Sequence, residues 1–201
     1  FQKFIFPSSA DVYGNNQQLF LTEDLKPAPV SPYGVSKLSV ENYLEFMART
    51  YSFPSICFRF FPTYGKIPRR TFVEKTVETM LLGKPLKLGD PSIIRDFVYI
   101  SDHVEAYVRA LNRKLPPENF YLLNVCRGRQ KTLGEVVEIA KTLTGYKGEI
   151  QFNAFPPRPN DIQRLVGSAF KCKQTLYWSP TIGIEEGLKL LIENRKRERN
   201  E

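Results

Sequence analysis

Two short apolar runs separated by one amphipathic stretch constrain this chain more than any other feature. Phe1 to Phe6 (FQKFIF) and Ser55 to Phe61 (SICFRFF) each read as a buried strand, the second bounded by prolines. Between them, from about Tyr33 to Tyr51, Val40, Leu44, Met47 and Tyr51 recur at the three-to-four spacing of one helical face. Strand, helix and strand over about sixty residues make a βαβ crossover, which joins parallel strands. The fold class is therefore α/β.

The rest of the chain continues in mixed elements. Helices are expected near Phe72 to Leu82 and from Asp102 to Leu111, the latter opened by Asp102 and Glu105 spaced as a capping pair. A strand follows at Phe120 to Val125. Thr132 and Glu135 then form a capping box on a helix that Gly145 can close. A proline-rich link, FPPRPND, leads to two final helices, about Ser168 to Leu176 and Ile184 onward, and the ending NRKRERNE reads as a solvated helix end.

Composition removes several function classes. With 42% hydrophobic residues the chain can bury a core, yet no apolar run reaches the ~20 residues of a membrane span. Cys57, Cys126 and Cys172 lie far apart with no CxxC pair, so neither a disulfide framework nor a zinc site is indicated, and a reducing cytoplasm is the expected home. His103 is the single histidine, which excludes chemistry built on a histidine pair; no metal is expected. The chemistry falls to Tyr, Lys, Ser, Asp or Glu. Because residue 1 is Phe and already reads as strand, the chain is expected to be the interior of a longer protein, and its net charge of +8 says little about partners.

The candidate chemistry centres on Tyr33-Gly34-Val35-Ser36-Lys37, in which Tyr33 and Lys37 share a helix face. A phenol ordinarily titrates near ~10, and an ammonium beside it favours the phenolate. Such a pair can abstract a hydroxyl proton. Taken alone the spacing is common in a chain rich in Tyr and Lys. Upstream, Ser8-Ser9-Ala10-Asp11-Val12-Tyr13-Gly14 follows directly on a strand, and ligand sites of parallel sheets lie at the carboxyl ends of strands. A serine there can hydrogen-bond a substrate oxygen, although a plain serine-rich turn is the simpler reading of Ser8.

Together these segments make the chain resemble the extended short-chain dehydrogenase/reductases of the NAD-dependent epimerase/dehydratase family, which act on nucleotide sugars. FIFPSSADVYG resembles the family's strand and serine loop, SPYGVSKL its catalytic helix, and FRFFPTYG its next strand and substrate loop. RDFVYISDHVEA, NVCRGRQKTLGEV, PPRPNDIQRLV and LYWSPTIGIEEGL resemble substrate-domain segments in the same order. The resemblance implies a Rossmann-type parallel sheet, of which residues 1–64 would be the carboxyl-terminal part. A smaller α/β substrate domain would follow over 65–201, with 102–125 returning to the sheet. It implies Tyr33 as catalytic base, Lys37 as the group holding the nicotinamide ribose, Ser9 as the hydroxyl orienting the sugar and Ser8 as a further cofactor contact. Asp11, Arg95 and Arg158 would face substrate, the arginines clasping its diphosphate. The implied reaction is epimerisation at C4 of a UDP-hexose or UDP-uronate with NAD as cofactor, in a homodimer, with neither a membrane nor a nucleic acid as partner.

The chain departs from that family in ways that bear on function. No GxxGxxG or GxGxxG occurs, so binding of NAD by these residues alone is not expected, and the isolated chain is expected to be inactive. Pro62 stands where many members carry Asn or Thr, Lys66 replaces a proline, and the loop from Lys66 to Thr71 is short. Ala10 and Asp11 occupy the positions of the Asp-Glu pair of the 4,6-dehydratases, and the loss of the acid at Ala10 argues against dehydration. Asp11 reads as a loop cap or as the acid used by uronate decarboxylases. A reductase or decarboxylase on the same scaffold therefore stays open, as does a non-catalytic module binding nucleotides or RNA.

Overall fold

The computed structural model describes residues 3–66, 71–114, 116, 120–158 and 160–200. Phe1 and Gln2 of the expected first strand, and most of the basic loop GKIPRR, lie outside the described residues. In chain order the elements are β1 (Phe4–Ser9), a 3-10 turn (Ala10–Tyr13), α1 (Pro32–Tyr51), β2 (Ser55–Phe60), β3 (Thr63–Tyr64), α2 (Phe72–Leu81), β4 (Leu86–Lys87), β5 (Ile94–Arg95) and β6 (Val98–Tyr99). They continue with α3 (Ile100–Asn112), β7 (Phe120–Val125), β8 (Lys131–Thr132), α4 (Leu133–Thr144), β9 (Ile150–Gln151), β10 (Arg164–Leu165), α5 (Phe170–Leu176) and α6 (Ile184–Asn200).

The chain is α/β. β1, β2 and β7 form a parallel sheet with β2 in the middle. Ser9 lies opposite Phe60 and Phe60 opposite Val125, so the three strands end together and their following loops share one edge. β2 is buried along nearly its whole length, as a strand covered on both faces must be. Small sheets β10-β5-β8, β3-β6 and β4-β9 make up the second part. There α2, α4 and α6 close around Val77, Val137, Leu188 and Leu191.

Capping residues place the helix starts. Ser31 accepts from Gly34 N at 3.0 Å, with Pro32 opening α1, where its missing N–H costs nothing. The Thr132–Glu135 box forms as expected, and Gly145 closes α4 at φ 69°, a left-handed value suited to glycine. A second box, Thr71–Glu74, opens α2. The Asp102–Glu105 expectation needs correction, because α3 starts earlier, at Ile100. The Asp102 carboxylate instead accepts from Thr181 N at 3.1 Å, Thr181 Oγ1 at 3.0 Å and Ile182 N at 3.2 Å, while Glu105 pairs with Arg109. An acid can bind the loose N–H groups of a neighbouring loop as readily as those of its own helix.

The face α1 buries also differs from the apolar spacing. It runs through Gly34, Glu41, Leu44 and Ala48, whereas Tyr51 is exposed. Glu41 is inside because Arg59 of β2 meets it there. Arg59 Nε lies 3.1 Å from Oε1 and 3.2 Å from Oε2, and Nη2 lies 2.7 Å from Oε2. Ser8 at the end of β1 donates its hydroxyl to the same carboxylate. The other side of the Arg59 guanidinium lies over the Tyr13 ring, 4.6 Å from its centroid. Tyr13 in turn donates to Asn124 Oδ1 of β7 at 2.7 Å. One charge pair thus links α1 to all three strands of the sheet.

Removing one member of such a pair leaves the other charged and buried. Glu41→Ala is expected to lower unfolding stability by about 3–5 kcal/mol. Arg49→Ala, which breaks the exposed Arg49–Glu45 pair on the same helix, should change it by less than about 1 kcal/mol. Urea denaturation of the two variants checks the contrast; equal losses would contradict it.

Candidate active site

The site forms where the loops after β1 and β2 face the start of α1. Gly34 makes the approach possible. A Cβ there would lie 2.9 Å from the Asp11 carbonyl oxygen and 2.9 Å from Pro29 Cβ, closer than real side chains come. Glycine beside Tyr33 therefore lets the helix start sit directly on the 3-10 turn that follows Ser9.

Ser8, Ser9, Asp11, Tyr33 and Lys37 line one cavity of about 300 Å³, together with Phe60, Phe61, Pro62 and Thr63. Tyr33 is 50% exposed, so its phenol is open to a ligand. The Lys37 ammonium donates to the Pro7 carbonyl at 2.7 Å and lies 5.5 Å from the Tyr33 ring centroid. Its position is therefore set by the end of β1. Ser9 Oγ accepts from Asp11 N at 3.2 Å, which leaves its own proton available to an incoming oxygen. Ser8, expected to touch the cofactor, instead commits its hydroxyl to Glu41 and is 3% exposed. Its side chain thus serves the buried ion pair.

Arg95 and Arg158 line a second, larger cavity of about 860 Å³. Pro62 and Thr63 line both cavities and so mark the throat between them. Burial lowers the Arg95 pKa, and the Asp161 and Asp11 carboxylates oppose that shift. Burial likewise raises the pKa of Asp11, with Arg95 opposing. Arg95 is therefore a largely desolvated cation that feels both carboxylates, and its guanidinium donates to the Ile94 carbonyl at 2.9 Å, a setting suited to an anionic ligand. Arg158 is exposed at the rim.

Several lining residues escape the sequence reading. Phe155 and Asp161 sit in what reads as a proline-rich link, Asn153 two residues before it, and Thr63 inside a substrate loop with no role assigned. Asp96, beside Arg95, is fully buried and accepts from Arg127 N at 2.9 Å, Gly128 N at 2.8 Å and Gly167 N at 3.4 Å. It ties two backbone segments, 127–128 and 167, to the strand of the arginine. His103 is also buried, with Nδ1 2.9 Å from Thr63 Oγ1 and its ring 4.4 Å from that of Phe60.

The family described as GDP-mannose 4,6 dehydratase matches residues 2–191. A putative UDP-glucose 4-epimerase of Methanocaldococcus jannaschii is 30% identical over 199 residues, covering 94% of this chain and 62% of that protein. The UDP-glucose 4-epimerase of Thermotoga maritima, solved with UDP-glucose, superposes with a TM-score of 0.90 at 35% identity, over 98% of this chain and 64% of that one. The UDP-glucuronic acid 4-epimerase of Bacillus cereus, solved with UDP-glucuronic acid and NAD, gives 0.89 at 29% identity, over 98% and 62%. The chain thus spans about three fifths of the length of the relatives it matches.

Two buried groups set opposing pH dependences. Burial lowers the His103 pKa from 6.5 to about 3. Between those values the unfolded chain holds a proton that the native state refuses, so stability falls as pH falls through the window. Burial raises the Asp96 pKa from 3.8 to about 6, against the pull of its N–H donors. Here the native state binds the proton more tightly, so this contribution is present at low pH and lost as pH rises through 6. Urea midpoints measured between pH 4 and 7 should therefore decline less on acidification in His103→Leu than in the wild type, and more in Asp96→Asn. Unchanged slopes in both variants would contradict the assignments.

Proposed function

From the premise that this chain belongs to the extended short-chain dehydrogenase/reductase family of nucleotide-sugar epimerases and dehydratases, we propose that it forms the catalytic and substrate-binding portion of an NAD-dependent nucleotide-sugar 4-epimerase. The observation that carries the reading is the shared cavity of Ser9, Tyr33 and Lys37, opening through Pro62 and Thr63 into the cavity of Arg95 and Arg158. A diphosphate clasped by the two arginines, with its sugar extending through the throat, would bring a ring hydroxyl to Tyr33.

In that pose the Ser9 proton orients the 4-hydroxyl oxygen, and the Tyr33 phenolate takes the hydroxyl proton. The Lys37 ammonium offsets the phenolate charge. NAD, when bound, supplies the acceptor and later the donor of the C4 hydrogen. The donor set at this corner fits the nicotinamide ribose, which Tyr33 and Lys37 would hold; the chain contributes no glycine-rich loop for the pyrophosphate. When the 4-keto sugar has turned over, Tyr33 returns the proton to the oxygen, giving the C4 epimer with no net redox change. Support for the uridine nucleotide comes from the two solved neighbours, each of which holds a UDP-sugar.

A form that includes a glycine-rich nucleotide-binding half is expected to interconvert UDP-glucose and UDP-galactose. Tyr33→Phe should lower kcat by about 10²- to 10⁴-fold while leaving UDP affinity within about twofold. Loss of binding together with turnover would count against the catalytic assignment. Net consumption of NAD(P)H would replace the epimerase reading with a reductase, and released CO₂ would replace it with a decarboxylase.

A further inference from the structure

Thr63 lines both cavities, at the throat where the two adjoin. Its hydroxyl has two neighbours that can take its proton: His103 Nδ1 at 2.9 Å and the Phe61 carbonyl at 3.5 Å, the outer limit of a hydrogen bond. The short contact wins if Nδ1 carries a lone pair. His103 meets that condition by its surroundings. It is 4% exposed and packed against Phe60 and the end of β2, and its Nε2 has no hydrogen-bond partner among the described residues. The Val125 backbone acts on the ring in the sense that favours its protonated form, as an acceptor of a ring N–H does. With Nδ1 given to Thr63, that proton belongs on Nε2.

Resting on the nucleotide-sugar reading above, we propose that His103 fixes the direction of the Thr63 hydroxyl, so that Thr63 acts in the throat as a hydrogen-bond acceptor reading one hydroxyl of the sugar. The Thr63 proton points back into the protein, and the oxygen lone pairs face the cleft. A sugar hydroxyl pointing at Thr63 can donate, whereas a carbonyl or carboxylate oxygen in the same place meets lone pair against lone pair. The device thus distinguishes a hydroxyl from an acceptor-only group at one ring position. Thr63 is a specificity-determining residue in this account and His103 a positioning residue.

The test uses this chain with UDP-glucose and UDP as probes in titration calorimetry. Thr63→Val keeps the shape and removes the oxygen. It is expected to weaken UDP-glucose binding about 5- to 10-fold and to leave UDP within about twofold, and Thr63→Ser should retain wild-type affinity for both. A thermal melt of each variant confirms folding. The second measurement is the tautomer of His103, read without ambiguity from long-range proton–nitrogen correlations because the chain has one histidine. The Nε2–H form is expected, with a shifted Nδ1 resonance in Thr63→Val. Wild-type UDP-glucose affinity in Thr63→Val, an equal loss for UDP, or an Nδ1–H tautomer would each overturn the assignment. A wild-type chain that binds neither probe would instead overturn the nucleotide-sugar reading itself, and this inference with it.

Discussion

The buried pairing of Arg59 with Glu41 is the constraint on which the site depends. Arg59 projects from the central strand, Glu41 from the helix that carries Tyr33 and Lys37, and Ser8 joins them from the strand that ends in Ser9. A planar guanidinium held on two carboxylate oxygens fixes orientation as well as distance. Desolvating two charges makes such a pair a weak source of net stability. Its contribution here is register: sliding or rotating α1 by one residue would strand both charges in the core. Tyr33 and Lys37 lie two turns and one turn along the same face from Glu41, so their placement over the serine loop follows from the ion pair below.

Charge is arranged outward from that anchor in steps. The Lys37 ammonium, pinned on the Pro7 carbonyl, stands beside the Tyr33 ring, and the nearest carboxylate lining the same cavity is Asp11. Arg95 lines the larger cavity within the electrostatic influence of Asp11 and Asp161, and Asp96 next to it holds the backbone at Arg127 and Gly128. A ligand carrying two phosphate charges and a neutral polyol meets cations at one end and hydroxyls at the other. Proline at position 62 gives the throat a rigid wall without an N–H donor, which leaves Thr63 as the polar group there.

Much of the fold was legible in the sequence because its signals are local. The apolar runs around Ile5 and Cys57, the Thr132–Glu135 box and Gly145 each depend on a few neighbouring residues; β2 and α4 lie where those residues indicate, while β1 continues past Phe6 through Pro7 and Ser8 to Ser9, residues that read as loop. The Tyr33–Lys37 spacing was legible for the same reason. What stayed hidden depends on partners distant in sequence. Glu41 looks like a solvated helix residue until Arg59, eighteen positions away, is seen beneath it. Asp102 has the spacing of a helix cap, yet its donors are at 181 and 182. Thr63 and His103 lie forty residues apart, and nothing in either segment announces the other.

The central claim is that the protein removes an oxygen-bound proton through Tyr33 while the hydrogen on C4 leaves and returns to the same carbon. Its most direct measurement is the fate of deuterium at C4 of UDP-glucose during turnover by a form able to bind NAD. The account predicts UDP-galactose that retains the label at C4, with none washed out to water. Loss of that deuterium to solvent would mean that a carbon-bound proton is abstracted instead, and would contradict the role assigned to Tyr33.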